Sequence, residues 1–315
     1  MYNLFKKWSV TILLSLSALA APVFAQDGEE VMSEEEWQRA YILIEKRVSG
    51  FKYQTGKVQI GEELATVDVP NGYKFLGKGD SRYILEDVYG NPPDDTVLGT
   101  LFIAKQSPLD EDLSYFIVLS YSEDGYIEDD DAKEIDYNDL LEELQDDAEE
   151  ANKIRVKEGY PTAKLIGWAQ KPYYDDKNKK LHWAKEFTFD NSPVNTLNYD
   201  VRILGRKGYL SMNIIGSIDV LPMVKSDIGK FLDSTNFNEG NQYGDYEEGI
   251  DSVAAYGIGG LVAGKVLGKI GFFAILAKFG KFIIAGLIAL GAVVKKIFFG
   301  SKEEKTKSIE NSEQE

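Results

Sequence analysis

The chain has 315 residues and a formal net charge of −17, with no cysteine and a single histidine, His182. Thiol catalysis, disulfide exchange, thiolate metal sites and histidine-rich zinc sites are therefore excluded, and we expect neither a metal nor a cofactor. Residues 26–250 carry 24 basic and 46 acidic side chains, an excess of negative charge that repels nucleic acid.

The amino end has the pattern of a secretory signal over residues 1–25. Lys6 and Lys7 give it a basic start, an apolar run follows, and Ala25 ends a small-residue cleavage pattern. Residues 26–36 are then an acidic spacer. We expect the mature chain to work outside the cytoplasm.

Residues 37–237 are expected to form one ectodomain, because strand and helix patterns follow each other there without a long break. Alternating residues predict strands, and apolar residues at helical spacing predict helices. The predicted strands are 57–60, 65–69, 97–105, 115–121, 162–170, 181–189, 196–204 and 209–216; the predicted helices are one with an apolar stripe of Trp37, Ala40, Tyr41 and Ile44, one over 82–88 capped by Asp80 and Ser81, and those over 137–157 and 220–232.

The order of these elements predicts the fold class. Asp136 is a candidate cap for the long helix over 137–157, whose acidic side chains lie opposite an apolar stripe. The four last strands are separated only by short turns, as in a meander of hairpins. We predict an α+β domain in which an antiparallel sheet packs against helices, rather than a doubly wound parallel sheet.

An acidic run over residues 128–131 allows two interpretations. Clustered carboxylates are the ligands that calcium prefers, so the run could hold a cation. The spacing lacks the alternation and central glycine of a helix–loop–helix calcium site, which favours a solvated loop.

The last hairpins predict a polar face on the sheet. If Arg206 and Lys207 form a two-residue turn, Arg202 lies opposite Ser211 and Asp200 lies opposite Asn213. If the preceding hairpin is centred on Ser192, it places Glu186 opposite Asn198, His182 opposite Arg202, Trp183 opposite Val201 and Phe187 opposite Leu197. The candidate site residues of this face are Glu186, Asn198, Asp200, Arg202, Ser211 and Asn213.

This face has a functional and a structural interpretation. As a binding floor, it would offer charges and hydrogen-bonding groups to a ligand. As a structural surface, it is the solvated side of a one-sided sheet or an ion network beneath a helix. Glu186 and Asp200 would also be candidates for acid–base chemistry if they shared the face.

The carboxyl end has the pattern of a membrane anchor. A polar linker over 238–252 leads to a glycine-rich segment over 253–299, in which residues 271–294 are long enough to span a bilayer. Basic residues after the span predict a cytoplasmic, disordered tail over 300–315. Gly260, Gly264 and Gly268 recur every four residues, which is typical either of an interfacial helix or of a second helix packed through small residues.

Several motifs together resemble a bacterial family of membrane-anchored proteins known as domain of unknown function 2167. The resemblance extends from about residue 40 to about residue 299. It implies an exported, anchored layout and carries no catalytic residue over to this chain. The motifs are Leu181-His182-Trp183-Ala184-Lys185-Glu186, Thr196-Leu197-Asn198-Tyr199-Asp200-Val201-Arg202, Leu204-Gly205-Arg206-Lys207-Gly208, Val253-Ala254-Ala255-Tyr256-Gly257-Ile258, and Asn91-Pro92-Pro93 followed by Leu98-Gly99.

Three hypotheses about function follow. The favoured one is a non-enzymatic periplasmic ectodomain, anchored by a single span in the bacterial inner membrane, that binds an envelope protein or another envelope component. The second is an envelope hydrolase that uses Glu186 and Asp200. The third is an oligomer embedded in the membrane through its glycine-rich segment. The expected partners are the lipid bilayer and a protein or a second copy, and not nucleic acid.

Overall fold

The computed structural model describes residues 34–91, 93–157, 161–190 and 192–264. The signal at 1–25, the span at 271–294, the tail at 300–315 and Gly268 lie outside these ranges. None of the helices within them is long and apolar enough to cross a membrane.

An antiparallel sheet of seven strands forms the centre of the domain, which confirms the predicted α+β class. Its strand order is β3-β4-β5-β9-β8-β7-β6, so the last four strands form the predicted meander. The strands are β3 (Tyr73–Gly77), β4 (Val97–Ile103), β5 (Tyr115–Ser122), β6 (Ala163–Asp175), β7 (Lys180–Phe189), β8 (Thr196–Leu204) and β9 (Tyr209–Ser217).

A second, three-stranded sheet has the order β1-β2-β10. Its strands are β1 (Gly56–Ile60), β2 (Ala65–Val69) and β10 (Thr235–Phe237). Strand β10 pairs with β2 so that Thr235 lies opposite Val67. The domain is therefore closed by a contact between two distant parts of the chain.

Five α-helices lie around these sheets in the described residues. They are α1 (Glu34–Ser49), α2 (Lys78–Arg82), α3 (Tyr137–Lys157), α4 (Leu221–Ser234) and α5 (Ile258–Ala263). Helix α2 continues as a π-helical turn over Tyr83–Val88, so the predicted helix at 82–88 starts earlier than expected. Ser81 is not the predicted capping residue, because its hydroxyl donates a hydrogen bond to the backbone carbonyl of Leu76 inside the fold.

Both faces of the large sheet are covered. On one side, which we call the core face, Ile117, Tyr199 and Met212 pack beneath α4 and the small sheet. On the other side, which we call the helix face, two separate apolar clusters form. One joins β4 and β5 to α1 and to the segment after α2, through residues such as Phe102. The other joins β7 to α3 and α5, through residues such as Trp183.

Helix α3 confirms the predicted bounds and cap. The carboxylate of Asp136 accepts the backbone N–H of Asn138 at 2.8 Å, which stabilises the first turn. Its polar side chains also bond to the outer edge of β6 over residues 163–166. Asn152 exchanges two hydrogen bonds with the backbone of Ala163, and Gln145 donates to the carbonyls of Leu165 and Ile166.

The apolar stripe of α1 differs from the prediction. Tyr41 is 51% exposed, and the contacts with the domain come from Ile44 and the buried Val48. Helix α1 therefore contacts the domain through its last two turns and not along the whole predicted stripe. Trp37 is not among the side chains that the structure describes.

The segment over 238–252, predicted to be a linker, instead packs on the domain. Arg206 forms ion pairs with Glu247 at 3.0 Å and with Asp251 at 2.7 Å. Tyr126 stacks against both Tyr243 and Tyr246. The sequence pattern does not predict these contacts, because the residues that make them lie more than 35 positions apart in the chain.

The first part of the predicted anchor also belongs to the domain. Val253 pairs with Tyr126 in a parallel bridge, and Ile258 and Leu261 are buried in the cluster that contains Trp183. Helix α5 ends at Gly264, which has a left-handed backbone. The described part of the glycine stripe is therefore not one continuous helix.

Candidate functional site

The register of β8 and β9 is the one predicted from the sequence. Asp200 lies opposite Asn213, Arg202 opposite Ser211, Val201 opposite Met212 and Ile203 opposite Leu210. A two-residue turn fixes which residues can face each other, and Gly208 allows it with a φ of 153°.

The register of β7 and β8 differs from the prediction by one residue. Trp183 lies opposite Asp200, and Glu186 lies opposite Leu197. The predicted register places apolar residues of β7 opposite apolar residues of β8. That criterion holds for a sheet with only one buried face. Because both faces of this sheet are covered, Trp183 can pack beside charged groups, and a shift of one residue moves every side chain of β7 to the other face.

The helix face therefore carries a polar strip between its two apolar clusters. Five of the six predicted candidate residues are part of it, and the shifted register adds Lys185, which lies opposite Asn198. Asp200 and Ser211 are buried, and the others are half-buried. We call the following set the polar strip: Lys185, Asn198, Asp200, Arg202, Ser211 and Asn213.

Hydrogen bonds connect most of the strip. Arg202 pairs with the Asp200 carboxylate at 3.0 Å and donates to the Ser211 hydroxyl at 2.7 Å. Asn213 donates from its amide nitrogen to Asp200 at 3.0 Å and to the side-chain oxygen of Asn198 at 3.1 Å. The side chains of Asp200 and Arg202 are only 6% and 16% exposed, so water screens this ion pair weakly.

Aromatic rings lie beside the cation of this pair. The guanidinium carbon of Arg202 is 5.1 Å from the ring centroid of Trp183 and 5.5 Å from that of Tyr209. Such contacts hold the guanidinium in place and exclude water from it.

Lys185 was not among the predicted candidates. Burial lowers the pKa of its ammonium group, an effect that Asp200 opposes and Arg202 reinforces. The correct register alone would have revealed it, since Lys185 is two residues from Trp183 on the same strand and face.

Glu186 and His182 lie on the core face, away from the strip. Glu186 accepts a hydrogen bond from the Asn195 amide at 2.6 Å. His182 Nδ1 is 2.9 Å from the Tyr199 hydroxyl, and burial lowers the pKa of the imidazole. Glu186 and Asp200 are thus on opposite sides of the sheet, and the predicted acid–base pair is wrong.

The acidic run over 128–131 is partly solvated: Glu128 and Asp130 are exposed, whereas Asp129 and Asp131 are half-buried and bonded to the domain. Asp129 accepts hydrogen bonds from Tyr174, Lys179 and Tyr243. Burial alone would raise the pKa of Asp129, but these donors outweigh it and the pKa is lowered. Nowhere in the described ranges do three or more His, Asp or Glu side chains form a group that could hold a metal ion.

Asp131 connects the acidic run to α5. Its two carboxylate oxygens accept the backbone N–H groups of Ile258 at 2.8 Å and Gly259 at 2.9 Å. A Cβ atom at Gly257 would lie 2.6 Å from this carboxylate, so the site requires glycine there.

The two described glycines of the predicted stripe have local roles. A Cβ atom at Gly260 would lie 2.6 Å from the Cβ of Tyr256, and Gly264 ends α5 with a φ of 68°. Both observations give these two glycines a role within the domain.

Comparison with known proteins identifies the family. The model of the family described as protein of unknown function DUF2167 matches residues 52–292, and this chain belongs to that family. No curated protein matches the sequence.

Among solved structures, the chain is similar to cyanobacterial PsbP (CyanoP) from Synechocystis sp. PCC 6803, with 12% identity and a TM-score of 0.33 over 68% of this chain and 99% of that chain. It is also similar to the Ran-binding protein Mog1p of Saccharomyces cerevisiae, with 10% identity and a TM-score of 0.30 over 59% of this chain and 96% of that one.

Proposed function

We propose that this chain is an exported, membrane-anchored and non-enzymatic domain that binds a component of the bacterial cell envelope through the polar strip. The observation that carries the proposal is the position of the strip: half-buried polar groups lie between two buried apolar clusters on one covered face. A ligand at such a place contacts both polar and apolar groups, as in most binding sites.

The arrangement of carboxylates favours binding over catalysis. Acid–base hydrolysis needs two positioned groups on one side of the substrate. Asp200 is already engaged by Arg202 and Asn213, and Glu186 lies on the opposite face. The strip is suited to holding a ligand by hydrogen bonds and charge.

Photo-crosslinking in the living cell tests the binding. A photoreactive amino acid at Thr196, at the end of the strip, should capture an envelope component. The same amino acid at the exposed Lys164, whose strand partner Thr188 lies on the core face, should not. Equal capture at both positions, or an envelope substrate that the full chain turns over, would overturn the proposal.

The proposed topology has its own test. The basic start of the signal and the lysines after the span support an exported domain and a cytoplasmic tail. A reporter active only in the periplasm should be active after Lys177, in the exposed turn between β6 and β7, and silent after Lys302. Activity at both sites would contradict a single span.

A further inference from the structure

Helix α1 exposes three consecutive apolar side chains. Tyr41, Ile42 and Leu43 are 51%, 60% and 66% exposed. In the last two turns of the helix, Ile44 and Val48 pack against the apolar cluster of β4 and β5. Because these two residues are four positions apart, they mark the side of α1 that faces the domain. Ile42 and Leu43 lie on the opposite side, which the domain does not cover.

The charges of α1 are distributed unevenly along its axis. Its sequence starts with three glutamates, and Lys46 and Arg47 are in its last turn. This order suits the dipole of a single helix, which favours acids at the start and bases at the end. It also makes α1 complementary to a second copy that runs in the opposite direction. Two copies that ran in the same direction would bring like charges together.

The apolar residues and the charges locate the same contact. Positions 35 and 46 are about three helical turns apart, so Glu35 and Lys46 occupy the side of α1 that Ile42 also occupies. Lys46 is exposed, and the described residues give it no carboxylate partner. If Glu35 of one copy meets Lys46 of the other, the midpoint of an antiparallel pair falls between positions 40 and 41. Apolar side chains then meet near the centre of the pair, and opposite charges meet at both ends.

We infer that α1 is a contact between two copies of this chain, whose α1 helices pack antiparallel through Ile42 and Leu43. A two-fold axis makes the two halves of such an interface identical, so one helix supplies both the acidic and the basic group. A bilayer fits less well, because an interfacial helix is rich in Lys and Arg, whereas α1 has four acidic and three basic residues. The contact uses no residue of the polar strip, so it goes beyond the proposed binding function and does not depend on it.

The size of this interface determines the assay. A few apolar side chains on each copy bury much less than the roughly 800 Å² per partner of a standard interface, so the dimer should be weak and exchange rapidly. A covalent trap detects such a contact. Because the chain has no cysteine, a single introduced cysteine can form a disulfide within this protein only between two copies.

Disulfide crosslinking of the full chain in freshly broken cells tests the inference, with copper phenanthroline as the oxidant. Ile42→Cys should give roughly tenfold more covalent dimer than Lys164→Cys, an exposed position on β6, because pairing holds the two thiols at a high effective concentration. Ser49→Cys should stay near the level of Lys164→Cys, since antiparallel pairing separates the two copies of residue 49 by about 25 Å along the helix axis. Equal yields at Ile42 and Ser49, no excess at Ile42, or a disulfide from Ile42→Cys to a different protein would each overturn the inference.

An exchange of charges tests the antiparallel arrangement itself. In the Ile42→Cys chain, Glu35→Lys should lower the dimer yield roughly fivefold, because two equivalent ion pairs become repulsive at once. Adding Lys46→Glu should restore the yield, since opposite charges meet again, even though both changes oppose the dipole of the helix. An unchanged yield with Glu35→Lys alone, or no recovery in the double exchange, would contradict the pairing of Glu35 with Lys46 of the other copy and overturn the antiparallel contact.

Discussion

Replacement of Asp131 by Ala should loosen α5 on the domain without unfolding the rest. The two hydrogen bonds from Ile258 and Gly259, at 2.8 and 2.9 Å, are charge-assisted and satisfy backbone donors at the helix start. Loss of a capping side chain costs about 0.5–2 kcal/mol, and two such bonds are lost at once. We expect a local cost of about 2 kcal/mol.

Hydrogen exchange on the full chain measures this cost directly. A loss of about 2 kcal/mol corresponds to an increase of roughly 30-fold in the exchange of the amides in α5. The amide of Leu261, which donates to the carbonyl of Gly257, is the best reporter. Amides of β8, in the centre of the large sheet, should keep their exchange rates and serve as the internal reference.

Asp130→Ala is the matched control, because Asp130 is the exposed neighbour of Asp131. It removes the same charge and leaves the cap in place. Equal exchange of α5 in the two variants would refute the reasoning. Equal acceleration in α5 and β8 would show that Asp131 stabilises the whole domain and not one helix.

Other variants probe the strip, the histidine and a glycine. Arg202→Met leaves the buried Asp200 carboxylate without its cation and should lower the free energy of unfolding, measured in urea, by about 3–5 kcal/mol. Adding Asp200→Asn should recover part of that loss. No recovery would mean that packing and not charge is responsible. Burial lowers the pKa of His182, so the unfolded chain binds a proton at a higher pH than the folded chain does, and stability should fall as the pH drops below about 6.5. His182→Gln should remove that part of the decline. An imidazole that titrates at or above pH 6.5 in the folded protein, measured by nuclear magnetic resonance, would contradict this prediction. Gly99→Ala would place a Cβ atom 2.2 Å from the ring of Phe75 and should destabilise the fold by about 1–3 kcal/mol, measured by urea unfolding. Unchanged stability would show that the ring can move aside.

Local signals in the sequence predicted the parts of the fold that depend on neighbours in the chain. The bounds of α3 follow from its helical period and the cap at Asp136, and both are near in sequence. The register of β8 and β9 follows from a two-residue turn. Each needed only residues within one or two elements.

The errors have one physical source, which is contact between distant segments. The predicted register of β7 is wrong because matching apolar with apolar residues assumes one buried face, whereas α3 and α5 cover part of the other face as well. The segment over 238–252 looked like a linker because its partner Arg206 belongs to an earlier hairpin. The sequence predicts five residues of the polar strip. It does not predict Lys185, because the face on which Lys185 lies depends on that same β7 register.

At the start of β6, over residues 163–166, side chains of α3 bond to the outer edge in place of a neighbouring strand. The Asn152 amide bonds to both the N–H and the carbonyl of Ala163, as a strand would, and Gln145 occupies the next two carbonyls. An edge satisfied in this way offers few free groups to an extended peptide or to the sheet of another copy. Helix α3 therefore shields the start of β6 from pairing with another strand, and variants at Asn152 should aggregate before they lose their fold.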